Sequence, residues 1–300
     1  MTAPPSEAPS SSGAGIIEAM TTVGMLGAGH MGAGLGWALR EGGARVVTTL
    51  AGRSARTAKL VADAGLEPLD CLDAVVETAD TVLVVTPPGA ARDAAIQLAA
   101  AIARTGRRPL VADLNAIAPS TVDDVAGILA GTDFVDGSIS GAPPNTRPGA
   151  AIYLSGDRAG DLAALPWRHV RPIVLPGGVG QASALKMCTA SVYKGTTGLF
   201  MQAMRTAARH GVLDEVLADL ANAGLADPTR SVVVAATKAA RYVPEFQEIA
   251  ATQQAAGLPA ALFQGFAEVY RQIAASELAS LDPESVDRSM PPDEAVRRLS

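Results

Sequence analysis

The sequence predicts an α/β domain with a doubly wound sheet, followed by an all-α domain. Between residues 21 and about 177, short apolar runs alternate with helical stretches, a pattern typical of βαβ units and of a parallel sheet with helices on both faces. From residue 178 the strand pattern stops and only helical periodicity continues. We therefore expect a first domain over 21–177 and an all-α second domain over 178–281.

The elements of the first domain can be followed in order. The strand in "TTVGMLGAG" ends in glycines, and the helix "HMGAGLGWALREGG" after it stops at Gly42 and Gly43. Further helices are expected in "TAKLVADAG" and "AARDAAIQLAAAIA", and further strands in "ARVVTTLAG", "TVLVVTPP", "RPLVADLNA", "FVDGSISG", "AAIYLSGD" and "RPIVLPG". In the second domain we expect helices at 181–211, 212–223, 228–242, 244–256 and 259–279.

Both ends of the chain have a different composition. Residues 1–20 are rich in Pro, Ser, Ala and Gly and have neither the basic segment nor the apolar segment of a signal peptide. We interpret them as a disordered leader of a cytoplasmic protein. Residues 282–300 are polar and contain prolines, which predicts a flexible tail.

Charge and cysteine content exclude several classes of function. The formal net charge of −6 gives no attraction to nucleic acid, and no apolar run approaches the roughly 20 residues that span a membrane. The two cysteines, Cys71 and Cys188, form neither a metal-binding pair nor a disulfide framework, so no metal site is predicted. We expect both to be small buried apolar groups in a reducing compartment.

Three glycines make the first strand–helix junction a predicted dinucleotide site. Gly27, Gly29 and Gly32 form GxGxxG, in which they allow a tight turn, close approach of a pyrophosphate and close helix–strand packing. This is the arrangement of a Rossmann domain; the alternative is that the glycines serve only the turn. The expected cofactor-binding residues here are Gly27, Ala28, Gly29, His30, Met31, Gly32, Thr86 and Pro87.

The end of the second strand indicates which dinucleotide is bound. NAD sites usually have an acid there that binds the ribose 2′-hydroxyl, and "TTLAGRSART" has none. Arg53 and Ser54 follow Gly52 instead, and they offer a guanidinium and a hydroxyl to a 2′-phosphate. We therefore predict NADPH in preference to NAD. The alternative is that Arg53 and Arg56 belong to a solvated turn.

Four blocks in order resemble the β-hydroxyacid dehydrogenase family, which has the imine reductases as relatives. "GMLGAGHMG" resembles its GxGxMG signature, "DLNAIAPST" (113–121) its substrate segment, "DGSISGAPPNTRPGA" (136–150) its glycine loop and "GQASALKMCTASVYKG" (180–195) its lysine helix. The resemblance covers about residues 21–280 and is strongest to a less characterised branch with a 6-phosphogluconate dehydrogenase-like C-terminal domain. It implies an NAD(P)-dependent oxidoreductase that forms a homodimer through the C-terminal helices.

Lys186 is the predicted catalytic residue. At about 100° per residue, it shares one face of a long helix with Tyr193, Thr197 and Met204, which suggests a polar stripe along a cleft. Burial would lower the pKa of this lysine and fit it for proton transfer. The resemblance independently gives it that role. The alternative is a lysine whose ammonium reaches solvent.

The remaining candidates have weaker signals. Substrate contacts are expected from Asn115, Ser140, Gly141, Ala142, Thr189, Tyr193 and Lys194, although Asn115 could serve a turn, Tyr193 the core and Lys194 the surface. Glu245, Glu248 and Gln253 could reach the cleft or lie on a solvated helix face. Three positions depart from the family pattern: Asn115 and Ala142 replace its serine and second glycine, and Ala190 replaces the asparagine four residues after the lysine.

The expected function follows from these residues and from the resemblance. We expect an NADPH-dependent oxidoreductase that transfers hydride to or from a small polar carbonyl or hydroxy-acid compound, with Lys186 as general acid or base. Two alternatives stay open. The acceptor could be an imine, or the protein could bind a dinucleotide without catalysis.

Overall fold

The computed structural model describes residues 20–299 and contains a mixed sheet of eight strands. The strands lie in the order β3-β2-β1-β4-β5-β6-β7-β8. Their bounds are β1 Thr22–Leu26, β2 Arg45–Thr49, β3 Glu67–Leu69, β4 Thr81–Val84, β5 Leu110–Asp113, β6 Phe134–Ser140, β7 Ala150–Ser155 and β8 Val170–Val174. This order places the end of β1 next to the end of β4, which is where the Rossmann fold binds dinucleotides.

In the part of the chain that the structure describes, six helices accompany the sheet. They are α1 His30–Glu41, α2 Ala55–Asp63, α3 Leu72–Thr78, α4 Ala91–Thr105, α5 Pro119–Ile128 and α6 Ala159–Ala163, with a 3₁₀ turn at Pro88–Ala90. Every residue of β1 is buried, because apolar clusters cover the sheet on both sides. The doubly wound α/β fold class is confirmed.

Two features of the sheet differ from the prediction. β6 and β7 pair antiparallel, with Gly137 opposite Leu154, so the expectation of a parallel sheet was wrong at this pair. The connection over 141–149 contains no helix, and the chain reverses direction across it. The three-residue strand β3 was not expected, because too few residues carry a pattern there.

The second domain is helical, as predicted. Its helices are α7 Gln181–His210, α8 Leu213–Asn222, α9 Thr229–Ala236, α10 Ala239–Ala255, α11 Ala261–Ile273 and α12 Pro292–Arg298, with a 3₁₀ turn at Glu277–Ser280. The break that we expected before Pro244 lies instead before Ala239. Pro244 lies inside α10, which loses one backbone hydrogen bond there. Within residues 20–299, none of the helices is both long and apolar enough to cross a membrane.

The structure corrects two predictions and does not test a third. The prediction of a flexible tail was wrong for 282–299. The helix α12 forms there, and Val286, Met290 and Val296 are buried in the core of the helical domain. The expectation of buried cysteines was also wrong, because Cys71 and Cys188 are both exposed. Residues 1–19 of the predicted leader lie outside the described residues.

Two acidic side chains connect the domains. The fully buried Asp136 of β6 accepts hydrogen bonds from the backbone N–H groups of Gly180 and Ser183, both at 3.0 Å, and from the Ser183 hydroxyl at 2.7 Å. Glu248 of α10 accepts at 2.7 Å from the Ala118 N–H and from the Thr121 hydroxyl at the start of α5. The start of α7 and the middle of α10 are thereby fixed to the sheet domain.

Candidate active site

The glycine turn between β1 and α1 is shaped by packing at two positions and is open at the third. A Cβ on Gly27, whose φ is +97°, would lie 2.3 Å from the carbonyl oxygen of Val85, and one on Gly32 would lie 2.1 Å from that of Gly27. A Cβ on Gly29 would meet nothing within 4 Å. No side chain caps the first turn of α1. Its N–H groups and the open face of Gly29 therefore form a cradle for an anion.

This turn forms one wall of a cavity of about 280 Å³ between the two domains. Most of the predicted site residues lie around it, namely Gly29, His30, Met31, Gly32, Thr86, Pro87, Asn115, Gly141, Lys186 and Lys194. The sequence did not predict that Arg241 lines this cavity, and it left open whether Glu245 reaches it. Both project from α10 four residues apart, on one face of the helix. Gly27 and Ala28 belong to the turn but do not line the cavity.

Within residues 20–299, Lys186 is held by one hydrogen bond. Its Nζ donates a hydrogen bond of 2.7 Å to the backbone carbonyl of Ile139, next to the glycine loop at Gly141. Burial lowers the pKa of Lys186, and the positive charge of Arg241 lowers it further. An ammonium has three donors, so two remain for a group bound in the cavity.

A second lysine lies two helical turns later in α7. The Lys194 ammonium forms an ion pair with the buried Glu245 and lies 4.8 Å from the ring centroid of Tyr242. Glu245 also pairs with Arg241, whose Nε lies 3.3 Å from Oε1. Burial and the charges of neighbouring cations, Lys186 first, lower the pKa of Lys194, and the Glu245 carboxylate opposes that shift. Three cations thus face one carboxylate, and the cavity carries positive charge.

Asn115 serves the scaffold of the site. Its Oδ1 accepts from the Thr86 N–H at 2.6 Å, and its Nδ2 donates at 2.9 Å to Asp113. These bonds tie the ends of β4 and β5 together, which agrees with the turn role weighed above. Burial raises the pKa of Asp113 to about 7.

Several predicted residues lie away from the cavity. Tyr193 is 73% exposed on another side of α7, and Met204 is buried in the helical core, so the single face expected for Lys186, Tyr193, Thr197 and Met204 divides. The Thr189 hydroxyl donates to the Lys186 carbonyl at 3.1 Å. Ser140 and Ala142 only flank Gly141. The helical wheel places α7 residues relative to one another, but it does not show which neighbours cover each side.

Arg53 and Ser54 are exposed at the start of α2. The Ser54 hydroxyl accepts from the Thr57 N–H at 3.3 Å and caps that helix. Arg56 pairs at 2.8 Å with Glu284, from the segment that follows the second 3₁₀ turn.

The comparison with known families decides the identity. Residues 22–173, just over half of the chain, match the NAD binding domain of 6-phosphogluconate dehydrogenase. The chain belongs to the β-hydroxyacid dehydrogenase-like family. Residues 207–273 match a second family, described as a domain of unknown function, DUF1932.

Solved structures resemble this family member over most of its length. A conserved protein of unknown function, described as structurally similar to 3-hydroxyacid dehydrogenases, is 26% identical with a TM-score of 0.63, covering 84% of this chain and 96% of its own. The 3-hydroxyisobutyrate dehydrogenase of Mycobacterium tuberculosis, solved with L-serine, is 21% identical with a TM-score of 0.67 and coverages of 94% and 99%. An imine reductase variant from Myxococcus stipitatus, solved with NAD⁺, is 19% identical with a TM-score of 0.54 and coverages of 85% and 94%. At these identities, the last two structures show that their fold is the fold of this chain.

As a member of this family, the protein is an NAD(P)-dependent oxidoreductase of the dehydrogenase or reductase type. The residues present fit a nicotinamide dinucleotide. The cradle at Gly29 suits its pyrophosphate, and Thr86 Oγ1 is buried at the cavity with no hydrogen-bond partner among residues 20–299. A bound cofactor would offer that hydroxyl a partner.

We expect Gly29→Ala to weaken binding of NADP⁺ by roughly tenfold without changing the melting temperature. The added methyl group would project into the cradle, where it meets no protein atom within 4 Å, and would meet the pyrophosphate instead. Isothermal titration calorimetry measures the affinity. Gly160→Ala, at another glycine with nothing near its Cβ position, is the control. Unchanged affinity in Gly29→Ala would contradict the assignment of the cradle.

Proposed function

We propose that the protein is an NADPH-dependent oxidoreductase that transfers hydride to or from a small polar carbonyl or hydroxy-acid compound, with Lys186 as the general acid or base. One observation carries this proposal: the Lys186 side chain and the Gly29 turn line the same cavity of about 280 Å³. A proton donor and a dinucleotide would therefore meet at one small substrate.

The proposed mechanism assigns the proton to Lys186. When bound, the reduced dinucleotide would supply the hydride for reduction, and the oxidised form would accept it in oxidation. In reduction, the Lys186 ammonium donates a proton from Nζ to the developing alkoxide, and its lowered pKa makes that transfer easier. In oxidation, the neutral amine accepts the proton from the hydroxyl. The Ile139 carbonyl holds Nζ in position in both directions.

The charge of the cavity supports an acidic substrate. Lys186, Lys194 and Arg241 line it, and Glu245, which pairs with Lys194 and Arg241, is the one carboxylate among the lining residues that the structure describes. A substrate carboxylate would reduce this excess of positive charge. A hydroxy acid or oxo acid carries that group.

The preference for NADPH is supported by the start of α2. Arg53 and Arg56 lie there, and "TTLAGRSART" contains no acid that could bind the ribose 2′-hydroxyl of NAD. The Arg56–Glu284 ion pair is exposed, with side-chain exposures of 67% and 54%, so it would compete weakly with a phosphate.

The experiment is a titration of the purified protein with NADPH and NADH, followed by turnover of 2-oxo acids, 3-oxo acids, semialdehydes and cyclic imines. Turnover of an acid or semialdehyde with NADPH supports the proposal. Turnover of imines alone would replace the proposed reaction by imine reduction. That outcome is worth testing because the apolar Ala190 stands where the family pattern has an asparagine. Binding of NADPH without any turnover would favour the non-catalytic alternative.

We expect Arg241→Gln to move the pH dependence of reduction toward higher pH. Reduction needs the protonated form of Lys186, so its rate falls as pH rises through the pKa of that lysine. The charge of Arg241 lowers this pKa, and its removal raises the pKa and extends the active range upward. The log of kcat/KM against pH gives the result. Arg92→Gln, at an exposed ion pair with Asp124, is the control, and an unmoved profile in Arg241→Gln would contradict the coupling.

The proposed assembly is a homodimer through the C-terminal helices. Val192 and Leu199 of α7 and Leu262 of α11 are 63%, 62% and 61% exposed, and they surround a groove that Phe263 and Phe266 line. An apolar face of this kind suits burial against a second copy.

We expect Leu199→Glu to convert the dimer to a monomer, because it places a charge in that face. Light scattering during size-exclusion chromatography measures the mass. Ile96→Glu, at a 54% exposed position on α4, is the control. A monomeric wild type, or a Leu199→Glu chain that keeps the mass of a dimer, would refute the interface.

A further inference from the structure

A second cavity, of about 570 Å³, lies in the helical domain beside the first. Its lining includes Tyr193, Arg230, Tyr242, Tyr270 and Arg288. Lys194 lines both cavities, so its side chain is shared between them. Its ammonium lies over the ring of Tyr242, which forms a wall of the second cavity.

The polar groups that remain available in the second cavity are mostly donors. The Tyr270 hydroxyl donates to the Lys194 carbonyl at 3.0 Å. Arg230 makes neither a hydrogen bond nor an ion pair with any residue in the range 20–299, and the Tyr242 hydroxyl makes no hydrogen bond there either. Arg288 has one long contact, 3.5 Å to the Pro283 carbonyl. Among the described residues, two guanidinium groups and two phenol hydroxyls, those of Tyr193 and Tyr242, are therefore available to bind an acceptor.

The single acid in this lining is partly occupied. Asp227 accepts at Oδ1 from the Thr229 N–H at 2.9 Å and from the Thr229 hydroxyl. Lys238 lies close enough to couple electrostatically with Lys194 and Arg288. The chain as a whole carries a formal charge of −6, so this concentration of cations opposes its overall charge. Such local reversal attracts and orients anions.

We infer that the second cavity is an anion subsite for the far end of the same substrate. The substrate would then be an acid with two anionic groups, one among Lys186 and Arg241 and the other on Arg230 and Arg288. Its chain would pass Lys194 and the face of Tyr242. The far group is a carboxylate or a phosphate, since paired guanidinium donors bind both. This inference rests on the proposed function, because it assigns a substrate to that site.

Binding of unreactive acids to the full-length protein, saturated with NADP⁺, tests the subsite. The probes are hexanoate, the dicarboxylates adipate and pimelate, and 6-phosphonohexanoate, each titrated by calorimetry. We expect the dicarboxylates to bind at least about tenfold more tightly than hexanoate. A phosphonate that binds more tightly than both dicarboxylates would identify phosphate as the far group, and the reverse order would identify carboxylate.

Two variants locate the second anion. Arg230→Gln and Arg288→Gln should each remove most of the advantage of a second anionic group, while hexanoate and NADP⁺ bind as before. Arg92→Gln should leave the advantage intact. Equal binding of hexanoate and both diacids by the wild type would overturn the subsite, and so would an advantage that survives both variants.

Turnover by Lys186→Met, measured beside these titrations, separates the subsite from the proposed function. If the diacid advantage depends on Arg230 and Arg288 but Lys186→Met keeps full turnover, the subsite stands and the role of Lys186 fails. If Lys186→Met loses turnover and the diacids have no advantage, the proposed function stands and the subsite fails.

Discussion

Replacing Lys186 with Met is expected to lower kcat/KM by about 10²–10⁴-fold, the usual contribution of a positioned general acid or base. Methionine keeps the length and apolar stem of the side chain but cannot carry the proton. The hydrogen bond to the Ile139 carbonyl is also lost, yet the glycine turn is untouched. Binding of NADPH should therefore be unchanged.

Steady-state kinetics with the best substrate of the panel, together with calorimetric binding of NADPH, measures both quantities. Lys59→Met is the matched control, because Lys59 is exposed on α2 and pairs with Asp63 one turn away. The role of Lys186 would be rejected if its variant kept wild-type kcat/KM. Equal losses in both lysine variants would also reject it.

Replacing Asp136 with Ala is expected to lower the free energy of unfolding by about 4 kcal/mol, near 1 kcal/mol for each donor that loses its acceptor. The donors are the N–H groups of Gly180 and Ser183 and the hydroxyls of Ser155 and Ser183. All four lie in a buried environment, where water cannot replace the carboxylate.

Urea unfolding measures the change. Asp136→Asn keeps one side-chain acceptor and should fall between the wild type and Asp136→Ala. Asp133→Ala removes a carboxylate that is 60% exposed and should have little effect. If Asp136→Ala unfolded at the same urea concentration as Asp133→Ala, the anchoring of α7 would have been assigned to the wrong residue.

Local patterns predicted much of this molecule. GxGxxG stands between a buried strand and a helix, and Gly27 and Gly32 lie where a Cβ would clash with backbone, as their positions predict. The pyrophosphate contact of Gly29 stays a prediction. Lys186 was expected to be partly buried and to line a cleft, and it lines the cavity of the glycine turn. These predictions required only information from neighbouring positions in one segment.

The rest depended on contacts between distant segments. Lys194 pairs with Glu245, 51 residues later in the chain, and no spacing within α7 reveals which helix will cover that side. The alternation of strands and helices cannot distinguish the antiparallel β6–β7 pair from a parallel one until the loop between them is known to lack a helix. The polar composition of 282–300 gave no sign that Val286, Met290 and Val296 are buried. They are buried because helices elsewhere in the chain provide the apolar surface against which they pack.

The contacts of Asp136 and Glu248 limit how this protein could be recombined with others. Cutting the chain at 177 would leave Asp136 in the first fragment and its partners Gly180 and Ser183 in the second. A chimera that received a foreign helical domain would need equivalent N–H groups at the start of its first helix and an acid at the position of Glu248. The two domains are therefore separate in architecture but depend on each other's contacts, so a functional exchange would have to carry both sets.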